Sequence, residues 1–129
     1  MTGNATLQLD QSVEAPGTAR TFVQEMAVRS GLGAVTPTLL LLTSELVTNA
    51  VVHGQGPLRL KVYVRDRDVV LEVMDASPRL PEQRARRELA ESGRGLLLVA
   101  LLARAWGVEK HGQGKTVWCS LSRAEAPLG

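Results

Sequence analysis

From residue 58 to residue 75 the chain reads LRLKVYVRDRDVVLEVMD, with apolar and charged residues alternating on both sides of Asp66-Arg67-Asp68. A period of two with a polar break predicts a β-hairpin that has one wet face. Leu58, Leu60, Val62 and Val64 then point inward, followed by Val69 or Val70, Leu71 and Val73. A second hairpin is expected in VEKHGQGKTVWCSLS, turning at Gly112 to Gly114, and Ala5 to Leu9 alternates weakly enough for one short strand. The helical segments carry different punctuation. APGTARTFVQEMAVRSGLG runs from Pro16 to Gly31, the usual asymmetry of a helix. TLLLLTSELVTNAVVHG follows Pro37 at a first helical position, with Thr36 as expected N-cap, and is closed by Gly54 and Gly56. GRGLLLVALLARAWG is the third predicted helix. The stretch ASPRLPEQRARRELAES reads as a loop with one helical turn, and RAEAPLG as a frayed tail.

The predicted order is strand, helix, helix, strand pair, helix, strand pair. It implies an α+β two-layer sandwich, in which a mixed, mostly antiparallel sheet is covered on one face by three helices. At 129 residues, a single domain over 1–129 is expected. Hydrophobic content of 44% with 22% charged residues is that of a globular chain. Two Trp, one Tyr and one Phe leave Leu, Val and Ala to build the core.

Fifteen Lys and Arg are interleaved with thirteen Asp and Glu for a net charge of +2, so no direct nucleic-acid partner is implied. The local cluster Arg79, Arg84, Arg86 and Arg87 comes with Glu82 and Glu88 and reads as solvated. Cys119 stands alone, which excludes an intrachain disulfide and a cysteine-rich metal site and fits a cytoplasmic setting. The start MTGNATLQLD has neither a basic region nor an apolar one, and the longest unbroken apolar run, about GLLLVALLA, is less than half a bilayer span, so no leader or membrane partner is expected.

The chemistry concentrates in SELVTNAVVHG. Glu45, Asn49 and His53 follow one another at i, i+4 and i+8, so on a helix they rise along one edge. Leu39, Leu46 and Ala50 mark the buried stripe of that helix, and Ser44 and Thr48 its wet side. Two phosphate motifs fail nearby. GQGKT lacks the leading glycine of a Walker A loop, since Glu109 stands there and a strand follows, and GRGLLL lacks the third glycine of a dinucleotide fingerprint. His53 and His111 have no zinc-protease spacing.

SELVTNAVVHG, LEVMDASP, SGRGLLLVALLARAWGV and GKTVWCSL, in that order, resemble the GHKL ATPase superfamily of the Bergerat fold, the group of gyrase B, heat-shock chaperones and histidine kinases. Within it the chain is most similar to the small serine kinases that serve as bacterial anti-sigma factors. The resemblance spans roughly Ala15 to Leu121. It implies an ATP-binding protein serine kinase with Mg²⁺, whose partners are a sigma factor and an anti-sigma-antagonist protein, and a homodimer by analogy. It further implies Glu45 as general base, Asn49 as the Mg²⁺ ligand, and His53 beside the phosphates or as a cap of its helix end. Asp75 would accept from the exocyclic adenine amine, with Ser77 beside it in a DxS variant of the box. Gly93, Arg94 and Gly95 would cradle phosphates at the start of the third helix, and Thr116 would reach the adenine site through its hydroxyl.

Read one at a time these residues have plainer roles: a solvated helix-edge acid, a strand-end turn acid, a glycine turn, a strand threonine. The chain departs from the family pattern in Asp75-Ala76-Ser77-Pro78, where glycines are usual, and in a short lid over Arg79 to Ser92. The alternative is therefore a non-catalytic or weakly nucleotide-binding module that regulates transcription through protein partners.

Overall fold

The computed structural model describes residues 4–77 and 96–123. The expected loop from Pro78 onward with its lid, Gly93, Arg94, Gly95 and the tail beyond residue 123 lie outside the described residues. The elements are β1 (Asn4–Leu9), α1 (Ala15–Arg29), a 3₁₀ turn (Gly33–Val35), α2 (Thr36–His53), β2 (Leu58–Arg65), β3 (Asp68–Asp75), α3 (Leu96–Leu102), β4 (Ala105–His111) and β5 (Gly114–Ser122).

Local chemistry sets the helix ends. Pro16 occupies the first turn of α1, where its missing N–H costs nothing. At the other end Gly31 adopts φ +70, Leu32 N–H returns to the Ala27 carbonyl at 2.9 Å and Gly31 N–H to Val28 at 3.4 Å. This is the Schellman arrangement, which needs a residue tolerant of left-handed backbone, and it drives Leu32 into the core. Thr36 does not cap α2. The helix begins at Thr36 itself with Val35 in the cap position, and the Thr36 hydroxyl donates to the Leu32 carbonyl at 2.8 Å.

The strands form one sheet in the order β1-β2-β3-β5-β4, and every neighbouring pair is antiparallel among the described residues, where a mixed sheet was expected. Cross-strand registry places Leu60 opposite Val73, Val62 opposite Leu71, Val73 opposite Val117 and Leu71 opposite Cys119, so the alternation produces one continuous apolar face. Val69 belongs to that face, registered with Val64 and Leu121, whereas Val70 lies on the other side and is nonetheless buried. The apolar face packs against Ala19, Val23 and Met26 of α1 and Leu39, Leu42, Leu46 and Val47 of α2. Each fully buried Leu or Val contributes roughly 1.5–3 kcal/mol by leaving water.

Two sequence expectations change here. The third helix ends at Leu102, and Ala105-Trp106-Gly107 begins β4, because Arg104 N–H donates to the Ser120 carbonyl at 2.7 Å and Ala105 pairs with Ser120. In addition, the helical stretch Gly33–His53 is long and apolar enough to cross a membrane by length and composition. Polar residues from Thr43 to Asn49 interrupt it, so the sequence contains no unbroken apolar run of that length. In the fold its apolar side is the centre of the core.

The outer face of the sheet is polar. Tyr63 donates to Glu72 at 2.9 Å, Lys61 lies 5.2 Å from the Tyr63 ring centre, and Arg104 pairs with Asp68 at 3.0 Å.

Candidate functional site

Helix α2 buries Leu39, Leu42, Thr43, Leu46, Val47 and Ala50. Glu45, Asn49 and His53 run alongside that stripe and are each half-buried, at the boundary where a helix passes from core to solvent. Beside them Ser44 accepts a hydrogen bond from Arg20 Nη1 at 2.9 Å, which joins this edge to α1.

The end of α2 meets the end of β3. A β-carbon on Gly54 would lie 2.7 Å from both Cγ and Oδ2 of Asp75, and 2.6 Å from the Ala50 carbonyl. Glycine is required here by space rather than by dihedral angle, since φ is −90. Gly114 makes a similar approach from β5, where an added β-carbon would stand 2.6 Å from the Asp75 carbonyl oxygen. Ala76 N–H donates to the Gln55 carbonyl at 2.8 Å and closes the corner. Gln11, between β1 and α1, braces it. Its Nε2 donates to the carbonyls of Val51 at 2.9 Å and Gly54 at 2.8 Å, and its Oε1 accepts from Gly56 N–H at 3.0 Å. Nothing periodic in the sequence marks Gln11 for this role.

Asp75 is the centre of the corner and it is paired. Lys115 Nζ lies 3.0 Å from Asp75 Oδ1, with side-chain exposures of 4% and 3%. Ser77 N–H donates to the same oxygen at 2.7 Å, and the Ser77 carbonyl lies 3.5 Å from Lys115 Nζ. Ser77 is thus brought to Asp75 by its backbone and is itself buried. Thr116 is not brought there. It is registered with Met74, on the opposite face from Asp75, and its hydroxyl lies 2.7 Å from His111 Nε2. The residue that faces Asp75 across the strand pair is Lys115. Strand parity carried the signal, because counting back by twos from Leu121, Cys119 and Val117 reaches residue 115. At this end of the sheet Gln8, Arg59, Met74, Asp75, Ala76 and His111 line an open cleft of about 260 Å³.

No group of three His, Cys, Asp or Glu side chains is placed to hold a metal among the described residues. Magnesium on a nucleotide asks for no such cluster, since it takes phosphate oxygens and waters plus one or two protein oxygens. The half-buried Asn49 amide fits that demand. The lone thiol, Cys119, is buried in the core, and burial pushes it up to about 12, so it is no nucleophile.

Comparison with known proteins is consistent with this geometry. The family model described as Histidine kinase-like ATPase domain matches residues 9–121. A search of curated proteins finds no match. Among solved structures, the chain is similar to the RsbU and RsbW domains of Rv1364c from Mycobacterium tuberculosis, with a TM-score of 0.72 at 19% identity. That match covers 92% of this chain and 32% of the other, so the chain spans about a third of the length of its structural neighbour.

Proposed function

Because the chain belongs to the histidine kinase-like ATPase domain family, we propose that it binds ATP with Mg²⁺ and acts as a protein serine kinase of the anti-sigma type. In this reading it binds a sigma factor and phosphorylates an anti-sigma-antagonist protein in the cytoplasm, as a homodimer. The observation that supports it most is the corner itself. Gly54, directly after His53, is in contact range of the Asp75 carboxylate, so the edge carrying Glu45, Asn49 and His53 ends where the strand-end acid begins. The family match spans both.

Asp75 then accepts from the base, as its burial and its fixed position favour, since a buried acceptor punishes an ill-matched base edge. Asn49 offers its amide oxygen to Mg²⁺, which when bound neutralises charge on the phosphates. Glu45 takes the proton of the attacking serine hydroxyl as the terminal phosphoryl group leaves ADP. Gly93, Arg94 and Gly95 keep their proposed role at the phosphates from sequence alone.

Replacing Glu45 by Ala is expected to abolish transfer of radiolabelled phosphate to the acceptor protein while leaving calorimetric ATP binding within about threefold, because the base acts in the transition state and not in binding. Normal transfer by Glu45→Ala would overturn the assignment of the base.

One observation favours the second reading, a module that regulates through protein partners with little or no nucleotide. Lys115 already uses part of the accepting capacity of Asp75, and Ala76-Ser77-Pro78 stand where glycines are usual. Absence of both heat and thermal stabilisation at millimolar Mg-ATP would select it.

A further inference from the structure

Reading a base with an acid does not require that the acid be half of a buried ion pair, yet Asp75 and Lys115 are 3% and 4% exposed and 3.0 Å apart. Oδ1 of Asp75 takes both donors, Ser77 N–H at 2.7 Å and Lys115 Nζ at 3.0 Å. Both of these bonds fall on Oδ1, whereas a carboxylate offers about four acceptor sites over its two oxygens. Lys115 has one further acceptor, the Ser77 carbonyl, at the long distance of 3.5 Å. An ammonium carries three N–H donors. The corner therefore holds an acceptor with spare capacity beside a donor with spare capacity.

Those two groups have different preferences when alone. A carboxylate accepts from a 6-amino purine, whereas a 6-oxo purine sets oxygen against oxygen, which is why one acid can discriminate between them. An adjacent ammonium removes that conflict. We propose that Lys115 is a base-specificity residue, and that with Asp75 it lets the site take 6-oxo purine triphosphates as well as ATP. The inference rests on the reading of Asp75 as the base acceptor. With adenine, the exocyclic amine donates to Asp75 and ring N1 accepts from Lys115. With hypoxanthine or guanine, the 6-oxo oxygen accepts from Lys115 and N1–H donates to Asp75. Over ring positions 1 and 6 each base finds one donor and one acceptor; guanine adds a 2-amino donor outside this pair.

The test is calorimetric titration of the full chain, in excess Mg²⁺, with ATP, ITP and GTP. ITP carries the 6-oxo group without the 2-amino group of guanine, so it isolates the contact. Wild-type affinities for ATP and ITP are expected within about tenfold of each other. Lys115→Thr keeps a small hydroxyl and removes the ammonium. It is expected to weaken ITP by at least about tenfold more than ATP. Lys115→Arg, which retains the cation, is expected to keep the wild-type ratio. Circular dichroism and melting report whether each variant folds; should Lys115→Thr fail to fold, the wild-type ratio still decides. A wild-type preference for ATP over ITP beyond about a hundredfold overturns the inference alone. So does equal weakening of ATP and ITP in folded Lys115→Thr, the result expected of a residue that only supports the corner. If no triphosphate binds the wild-type chain, the reading of the site fails and the inference fails with it.

Discussion

Single residues carry more than their burial suggests at two places. Asp75 and Lys115 are separated by 40 positions in the chain and joined by one hydrogen-bonded ion pair. Pairs of this kind gain little over an apolar pair of equal shape, but truncating one partner strands the other charge, typically at about 3–5 kcal/mol. That asymmetry makes a conservative replacement the informative one at residue 115. Cys119 is the second place. Its thiol is raised from 9.0 to about 12 by desolvation, and burial together with the bond to Glu72 also raises Tyr63. A raised acid keeps its proton in the folded state while the unfolded chain loses it, so the contribution is complete below pH 9.0 and declines toward about 12. Urea denaturation between those limits is expected to show stability falling, by at most about 1.4 kcal/mol for each pH unit from the thiol. Cys119→Ala should start from a lower stability because of its cavity and show a shallower fall. An equally steep fall would remove the thiol as its cause. Thiol reagents at pH 8 should modify Cys119 only as fast as the protein unfolds.

At the scale of elements, the corner proposed to read the base depends on how closely α2 and β3 approach. Gly54→Ala places a β-carbon 2.6 Å from the Ala50 carbonyl and 2.7 Å from the Asp75 carboxylate. Helix backbone and a buried acid both resist displacement, and the expected cost is about 1–3 kcal/mol. Nucleotide binding should weaken further than stability does, because the displaced group is the proposed base acceptor. Denaturation and titration of one preparation would measure both, and unchanged binding in a folded variant would mean that the corner tolerates movement. Other elements show how far local pattern reaches. Alternation in 58–75 identified the hairpin and its inward residues, since a period of two follows from the pleat. It stopped short at LLLVALLARAWG, because an apolar run fits a buried helix and a buried strand alike. There the Arg104–Ser120 backbone bond and the pairing of Trp106 with Cys119 divide α3 from β4.

For the whole molecule, the proposed ligand makes a global prediction. A nucleotide that binds only the folded chain stabilises it by about 2.7 kcal/mol at a hundred times its Kd. For a domain of this size that corresponds to a rise in melting temperature of roughly 10 °C. Differential scanning calorimetry with Mg-ATP at that ratio should record it, and the melting temperature of Asp75→Asn, already lowered by the unpaired Lys115, should rise much less. No rise in the wild type would favour the protein-binding module over the kinase. The sequence by itself determined which faces are apolar, where the chain turns and which box-like segments it carries, because periodicity and turn chemistry are properties of neighbouring residues. The edge formed by Glu45, Asn49 and His53 was legible for the same reason. Only the tertiary structure decided that Lys115 stands directly opposite Asp75, that Gln11 braces the end of α2, and that the apolar side of a helix long enough for a membrane packs into the core. Those outcomes follow from sheet register and helix packing, which are settled by hydrogen bonds and contacts between residues far apart in the chain.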